Sequence, residues 1–528
     1  MAIKIAILGG YLFLVMLIGI VARTRWKSSP ETYFLADRRL GPLVLMGTMA
    51  ATNFSAFTVF GTSGAGYRDG YAFFPIMGFG TGFMAVTFWF LGRRIWELGR
   101  DRGIVTPPEL VRSIYGSRLL GALFAAVMIV FTIPYLALQP MAAGYALEAL
   151  VGLPYFYGCT LVTGIIVVYT LRGGMRAVAW TDLFQGALMV VLLLVSLVVV
   201  VGHHGGWTAA HQKVMAVHPE LFSRPGGREY YTPAIWFSYM LLWFFCDPMF
   251  PQLFQRFFTA RRRRTLSQIM IGYPLVCTLV FFMPIAIGVL GRLTFPGLSG
   301  KEADKILPLV VTAISGDAMA ALVMAVTTMD SQLLTLSSIF TRDLLPLATG
   351  RQTAGAFAGR LFVVFLSLCG LALAYKPPDT ILRIATQTFT GLAVLFPAVV
   401  FGLYLKRVHP LPAILSILAG EALLVVFYLQ WLPAGPFLPV VWILLGGFGV
   451  YLSAHLLLVR PATLAPGWLG DPYFWMLMAL FALAMDFWAW GRIGPLVGGL
   501  PTWIGYFVLL SIGQTVLTYR WVRGGRSR

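Results

Sequence analysis

The segment Trp243-Phe244-Phe245-Cys246-Asp247-Pro248-Met249-Phe250-Pro251-Gln252 sets two prolines and a carboxylate in the middle of an apolar run. Each proline removes a backbone N–H and crowds the preceding turn, so a helix through this segment is interrupted or kinked. An earlier run, Gly47-Thr48-Met49-Ala50-Ala51-Thr52-Asn53-Phe54-Ser55-Ala56, carries small and polar residues at its middle instead of large apolar ones. Inside a bilayer, unwound backbone is tolerated only where protein holds it or where it lines a cavity. What both runs mean therefore depends on whether the chain crosses a membrane.

Composition answers that question. Hydrophobic residues make up 59% of 528 positions and charged residues 11%, too little polar surface to cover a soluble core of this size. About fifteen apolar spans can be drawn, each long enough to cross a bilayer: 4–22, 41–66, 71–92, 119–148, 154–170, 181–202, 233–255, 268–291, 306–341, 361–375, 381–405, 411–431, 437–458, 472–490 and 501–519. Residues 1–22 have no small-residue cleavage site after the apolar stretch and read as a retained first span. The net charge of +19 is unevenly placed. Lys and Arg gather in the connections that share one side when the N-terminus is outside, which predicts an N-out, C-in protein of the cell membrane. The run Arg261 to Arg264 ends the seventh span and reads as an anchor near anionic lipid; no nucleic-acid partner and no obligate protein partner are expected. Cys159, Cys246, Cys277 and Cys369 all fall within spans and are expected to be free thiols. His203, His204, His211 and His218 share the 203–232 connection without metal-ligand spacing and read as a solvated loop.

The two broken runs stand in matching positions. The second span opens one block of five spans and the seventh opens another. An odd block length makes the second block enter from the opposite side, which is an inverted repeat. Broken helices at corresponding positions point to a solute site near the bilayer midplane. The division expected is a first span and loop over 1–40, a first repeat over 41–232, a second over 233–410, and additional spans over 411–528.

The ninth span contains Met324-Ala325-Val326-Thr327-Thr328-Met329-Asp330-Ser331-Gln332. Met324, Thr327, Thr328 and Ser331 share one helix face. A hard cation needs several oxygen ligands. Hydroxyls here and free carbonyls on an unwound helix would supply them, against the usual alternative of threonines bonding their own helix. A mid-membrane carboxylate pairs, binds an ion or stays protonated, which singles out Asp330. Asp182 reads either as a helix N-terminal charge or as part of an ion path, and Asp247 either as a cap of the broken helix or as a solute or proton contact. Glu421 and Asp486 lie outside both blocks and read as structural or lipid-interface groups.

With those residues in view, the chain resembles the sodium:solute symporter family. The marks are Tyr33-Phe34-Leu35-Ala36-Asp37-Arg38-Arg39-Leu40-Gly41, Ala50 to Ala56, Tyr169 to Ala177, Trp180-Thr181-Asp182-Leu183-Phe184-Gln185, Gln255-Arg256-Phe257, Thr327 to Leu334 with Ser337-Ser338, and Arg342-Asp343-Leu344. They occur in order across roughly residues 30–410. The resemblance implies an all-α fold of the leucine-transporter type, an inverted five-plus-five helix repeat with flanking helices, and a transporter rather than an enzyme. It implies sodium as coupling ion, held by the carbonyls of Ala51, Phe54 and Met324 and the hydroxyls of Thr327 and Thr328. A second sodium, or a proton, falls to Asp182, Thr327, Asp330 and Ser331. The solute expected is an amino acid or carboxylate such as proline or pantothenate. Asn53, Ser55, Trp243, Asp247 and Gln387 are the expected pocket residues. The alternatives are proton-coupled symport and a membrane sensor that binds solute without moving it.

Overall fold

A computed structural model describes residues 2–21, 30–315, 329–350, 356–459, 467–486, 488 and 490–524. Among them the chain is almost wholly helical; the one sheet is a hairpin pairing Leu496–Val497 with Leu500–Pro501. Helix starts follow their sequence signals. Pro42, Pro233, Pro410, Pro439 and Pro472 occupy first turns, where a missing N–H costs nothing. Thr232 and Thr380 cap their helices by accepting from Ile235 N and Arg383 N.

The helices that matter below are α1 (Ala2–Val21), α2 (Pro42–Asn53), α3 (Thr62–Asp69), α4 (Arg118–Val151), α5 (Tyr155–Gly173), α6 (Met175–His203), α7 (Trp207–Val217), α8 (Pro233–Cys246), α9 (Pro251–Thr259), α10 (Arg263–Gly291), α11 (Ile306–Ile314), α12 (Asp330–Ile339), α13 (Ala356–Tyr375), α14 (Ile381–Ala393), α15 (Phe396–Tyr404), α16 (Pro410–Tyr428) and α17 (Pro439–Leu458). Among the described residues seven helices are long and apolar enough to span a bilayer, those at 118–151, 175–203, 263–291, 357–375, 381–404 (α14 and α15 together), 410–428 and 439–458. Pro42–Asn53 and Phe57–Phe73 form one further span, bent by 58°. Other apolar stretches are shorter or interrupted: 71–92 passes through π and 3-10 turns, and the seventh is split into α8 and α9 by the 3-10 turn Asp247–Met249. The ninth stretch appears as α11 and α12, and its residues 316–328 lie outside the described residues.

Burial separates centre from periphery. In α10, 78% of the apolar window is buried, against 28% in α16, so α10 is a core helix and α16 an outer one. α10 meets α3 at glycines on both sides. A Cβ on Gly66 would collide with the Ile285 backbone, and one on Gly288 with the Ser63 backbone. Small residues here let two helix backbones touch. α16 and α17 pack on each other outside this core.

The 203–232 connection corrects the expectation of a solvated loop. Residues Trp207–Val217 form a helix, and His211 is fully buried. Its Nδ1 is 2.8 Å from the Trp207 carbonyl oxygen and its Nε2 is 2.6 Å from the Tyr71 hydroxyl. The carbonyl can only accept, so Nδ1 carries the hydrogen and Nε2 accepts from tyrosine. Burial, opposed by the Trp207 hydrogen bond, lowers the His211 pKa below 6.5. Sequence periodicity missed the helix because its apolar face is short and its histidines read as polar. Asp486 pairs with Arg224 of the same connection, both buried.

Candidate functional site

The break in the first bent span begins where α2 ends. Phe54 leaves helical geometry (φ −86°, ψ 88°), while its N–H still reaches Ala50 O at 2.7 Å. Past that point the ladder is lost. Ala56 N donates to the Gln139 side chain of α4 at 3.3 Å, and Phe57 N to Ser55 Oγ at 3.3 Å. The carbonyls of Ala51 and Phe54 accept no hydrogen bond among the described residues, although both residues are buried. Carbonyls left so have unused lone pairs in a region without water. The other expected sodium ligands, Met324, Thr327 and Thr328, lie outside the described residues.

The second break lies alongside the first. Asn53 Nδ2 donates to Tyr273 OH at 2.8 Å and reaches Asp247 Oδ2 at 3.4 Å. Ser55 Oγ shares a 2.6 Å hydrogen bond with Tyr135 OH of α4. Aromatic rings surround this crossing. Trp243 packs against Phe57 at 5.6 Å and Phe389 at 4.9 Å, and Phe250 against Phe389 at 4.6 Å and Tyr135 at 5.5 Å between centroids. Asn53, Ser55, Trp243 and Asp247 are thus brought together. Gln387 is not: it is exposed on the outer face of α14, and the neighbouring Thr388 and Phe389 point inward instead. A helix turns 100° per residue, so one position decides the face. Tyr135, Gln139, Tyr273 and Phe389 join the site without having been singled out in the sequence; each is an ordinary residue of a long apolar helix, which contact alone makes distinctive.

Toward one end lies a second polar centre. Arg256, fully buried on α9, donates to Asp182 Oδ2 at 2.7 Å, Thr48 Oγ1 at 2.9 Å, Ser331 Oγ at 2.8 Å and the Gln252 carbonyl at 2.8 Å. Thr48 Oγ1 also donates to Asp182 at 2.6 Å, and Ser331 Oγ to the same carboxylate at 3.1 Å. Asp330 stands beside this group, accepting from Ser331 N at 2.9 Å and Thr181 Oγ1 at 3.3 Å. Asp182, Asp330 and Ser331 therefore share one cluster, and the guanidinium of Arg256 is a cation already within it. It ties α2, α6, α9 and α12 together.

The other end is closed by different pairs. Arg68 contacts Asp304 at 2.8 Å, and Asp304 also accepts from Ile381 N at 2.8 Å. Arg228 holds Asp69 through two hydrogen bonds of 2.6 and 2.7 Å. Along the first bent span, Asn53 of the crossing lies between Thr48 of the first group and Arg68 of the second.

Residues 33–420 match the sequence pattern of the sodium:solute symporter family. The chain is 28% identical over 446 residues to the sodium/pantothenate symporter of Escherichia coli, covering 81% of this chain and 92% of that one. It is 26% identical over 436 residues to the high-affinity proline transporter PutP of Bacillus subtilis, covering 80% and 90%. Among solved structures, a substrate-bound, outward-open sodium-coupled sialic acid symporter superposes with a TM-score of 0.73 over 88% of this chain and 99% of that one, at 18% identity. A nucleobase-cation-symport-1 transporter in a closed conformation superposes with a TM-score of 0.57 over 83% and 97%, at 12% identity. The fold is thus the leucine-transporter type. With the family's pattern running across both broken spans, the chain belongs to the sodium:solute symporter family of multi-pass membrane transporters, whose coupling ion is sodium.

Proposed function

We propose that this protein carries a small organic solute, an amino acid or carboxylate such as proline or pantothenate, across the membrane together with sodium by alternating access. The observation that carries this reading is the break at Phe54, which leaves the Ala51 and Phe54 carbonyls without hydrogen-bond donors among the described residues, beside the Asn53–Asp247 crossing. Sodium takes oxygen ligands, and two buried carbonyls at an unwound turn supply two of the five expected here. Met324, Thr327 and Thr328 complete it in this proposal. The solute occupies the aromatic crossing between Asn53, Ser55, Trp243 and Asp247. Sodium bridging the first broken span to the ninth favours the form that binds solute, so each ligand raises the other's affinity. Solute and sodium then leave past Asp182. The N-terminus lies outside and the C-terminus in the cytoplasm, and the chain divides at 40, 232 and 410.

A proton-coupled version has its own support. Asp330 accepts only a backbone N–H and a threonine hydroxyl, and no cation contacts it among the described residues. Uptake into proteoliposomes separates the two, with labelled proline and pantothenate tried first. An inward sodium gradient is expected to drive accumulation, and Thr327→Ala with Thr328→Ala to abolish the sodium effect. Uptake that ignores sodium and follows pH would overturn the sodium reading. Sodium dependence that survives in the double variant would remove the ligand assignment.

A further inference from the structure

Several buried carboxylates in this protein are partnered by arginine; among the described residues Asp247, at the crossing, is not, and neither are Asp330 and Asp343. Asp182 lies on Arg256, Asp304 on Arg68, Asp69 on Arg228 and Asp486 on Arg224. Asp247 is fully buried, and its carboxylate meets only Asn53 Nδ2 at 3.4 Å and the Cys246 thiol at 3.5 Å. Both are neutral and both contacts are long. No cation reaches it among the described residues. An ionised carboxylate in such a place needs a positive charge close by, because desolvation without one is very costly.

We infer that Asp247 is the counter-charge for a cationic nitrogen on the transported solute, an inference that rests on the solute reading of this crossing given above. Two further observations carry it. The carboxylate sits at the end of a helix whose Trp243, one turn earlier, packs with Phe57 and Phe389, and Phe250 and Tyr135 continue the ring wall. Aromatic faces attract cations, and they suit alkylated ammonium groups that shed water easily. The same wall holds unused donors: Trp243 Nε1 and Gln139 Nε2 are buried with no hydrogen-bond partner among the described residues. An anion and free donors gathered at one crossing match a compact solute that joins an ammonium to an acceptor group such as a carboxylate. A solute that is only anionic would set its charge against Asp247.

The test uses the purified full chain and needs no knowledge of the natural solute. Thermal unfolding is followed in sodium at constant ionic strength. The cationic probes are tetramethylammonium chloride and pyrrolidinium chloride. The matched uncharged and anionic probes are tert-butanol, cyclopentanone and sodium cyclopentanecarboxylate. Both cations are expected to raise the melting temperature and the others to leave it unchanged. Asp247→Asn, which keeps the shape, should shift the half-maximal concentration by about tenfold or more, as loss of a charged hydrogen bond does. Asp247→Glu, which keeps the charge, should recover part of that loss. No stabilisation by either cation, equal stabilisation by the neutral or anionic probes, an unchanged response in Asp247→Asn, or displacement of the cations by sodium one for one would each overturn the inference. A sodium titration without probe is read separately: its failure would remove sodium coupling, whereas the preference for cations is decided by the probes alone.

Discussion

Arg256 shows how little a single residue reveals until its neighbours are known. In the sequence it stands inside Gln255-Arg256-Phe257, one charge in an apolar stretch, and nothing local assigns it a task. Its principal partner, Asp182, is 74 positions away. Removing one member of a buried ion pair leaves the other charged and desolvated. Arg256→Met is therefore expected to destabilise the fold by about 3 kcal/mol or more, read as a lower melting temperature in detergent. Adding Asp182→Asn should restore much of that loss, because no unpaired charge is then left behind; a double variant as weak as the sum of the singles would refute the coupling. The residues that were legible in the sequence are those whose type is anomalous for a membrane interior: Asp182, Asp247, Asp330 and Asn53. Tyr135, Gln139 and Phe389 were not legible, since their roles come from position alone, and Gln387 was misplaced by a single step around α14.

Among the elements, the two broken spans were readable because proline and clustered small polar residues leave physical marks on a helix. Interhelical fit leaves fainter ones. Gly66 and Gly288 look like ordinary membrane glycines, yet each lies against backbone of the facing helix. Gly288→Val should force α3 and α10 apart and cost on the order of 1–3 kcal/mol, measurable by thermal unfolding, whereas Gly164→Val on α5, where there is open space, should cost much less. The α7 connection makes a pH prediction. His211 is held neutral by burial, below its ordinary 6.5. As pH falls through about 6.5 the unfolded chain takes up this proton before the folded one, so folding stability declines. The decline ends once the pH is below the depressed native value. His211→Gln should flatten that dependence without removing it, because His204, also lowered by burial, contributes in the same sense.

At the scale of the whole molecule, the aromatic crossing lies along the first bent span between two groups of ion pairs, one around Arg256 and one around Arg68 and Arg228. Cys246, buried beside Asp247, can report on both. In a background with Cys159, Cys277 and Cys369 changed to serine, Asp304→Asn is expected to speed modification of Cys246 by a membrane-impermeant thiol reagent added on the Arg68 side. An unchanged rate would mean that Arg68 and Asp304 do not guard this route. The architecture was largely legible because apolar run length, charge asymmetry and two equivalent breaks are global patterns that survive local error. Which ends close, and with which pairs, was not, because ion pairs join residues far apart in the chain. The Arg256–Asp182 pair carries an electrical consequence. While the two charges travel together, their rearrangement moves almost no net charge through the bilayer field. If α9 swings away and leaves Asp182 on α6, a full positive charge is displaced, at about 2.3 kcal/mol per 100 mV across the whole membrane. The empty carrier would then respond to voltage before any sodium binds, and a voltage step would draw a brief capacitive current that Arg256→Met lacks.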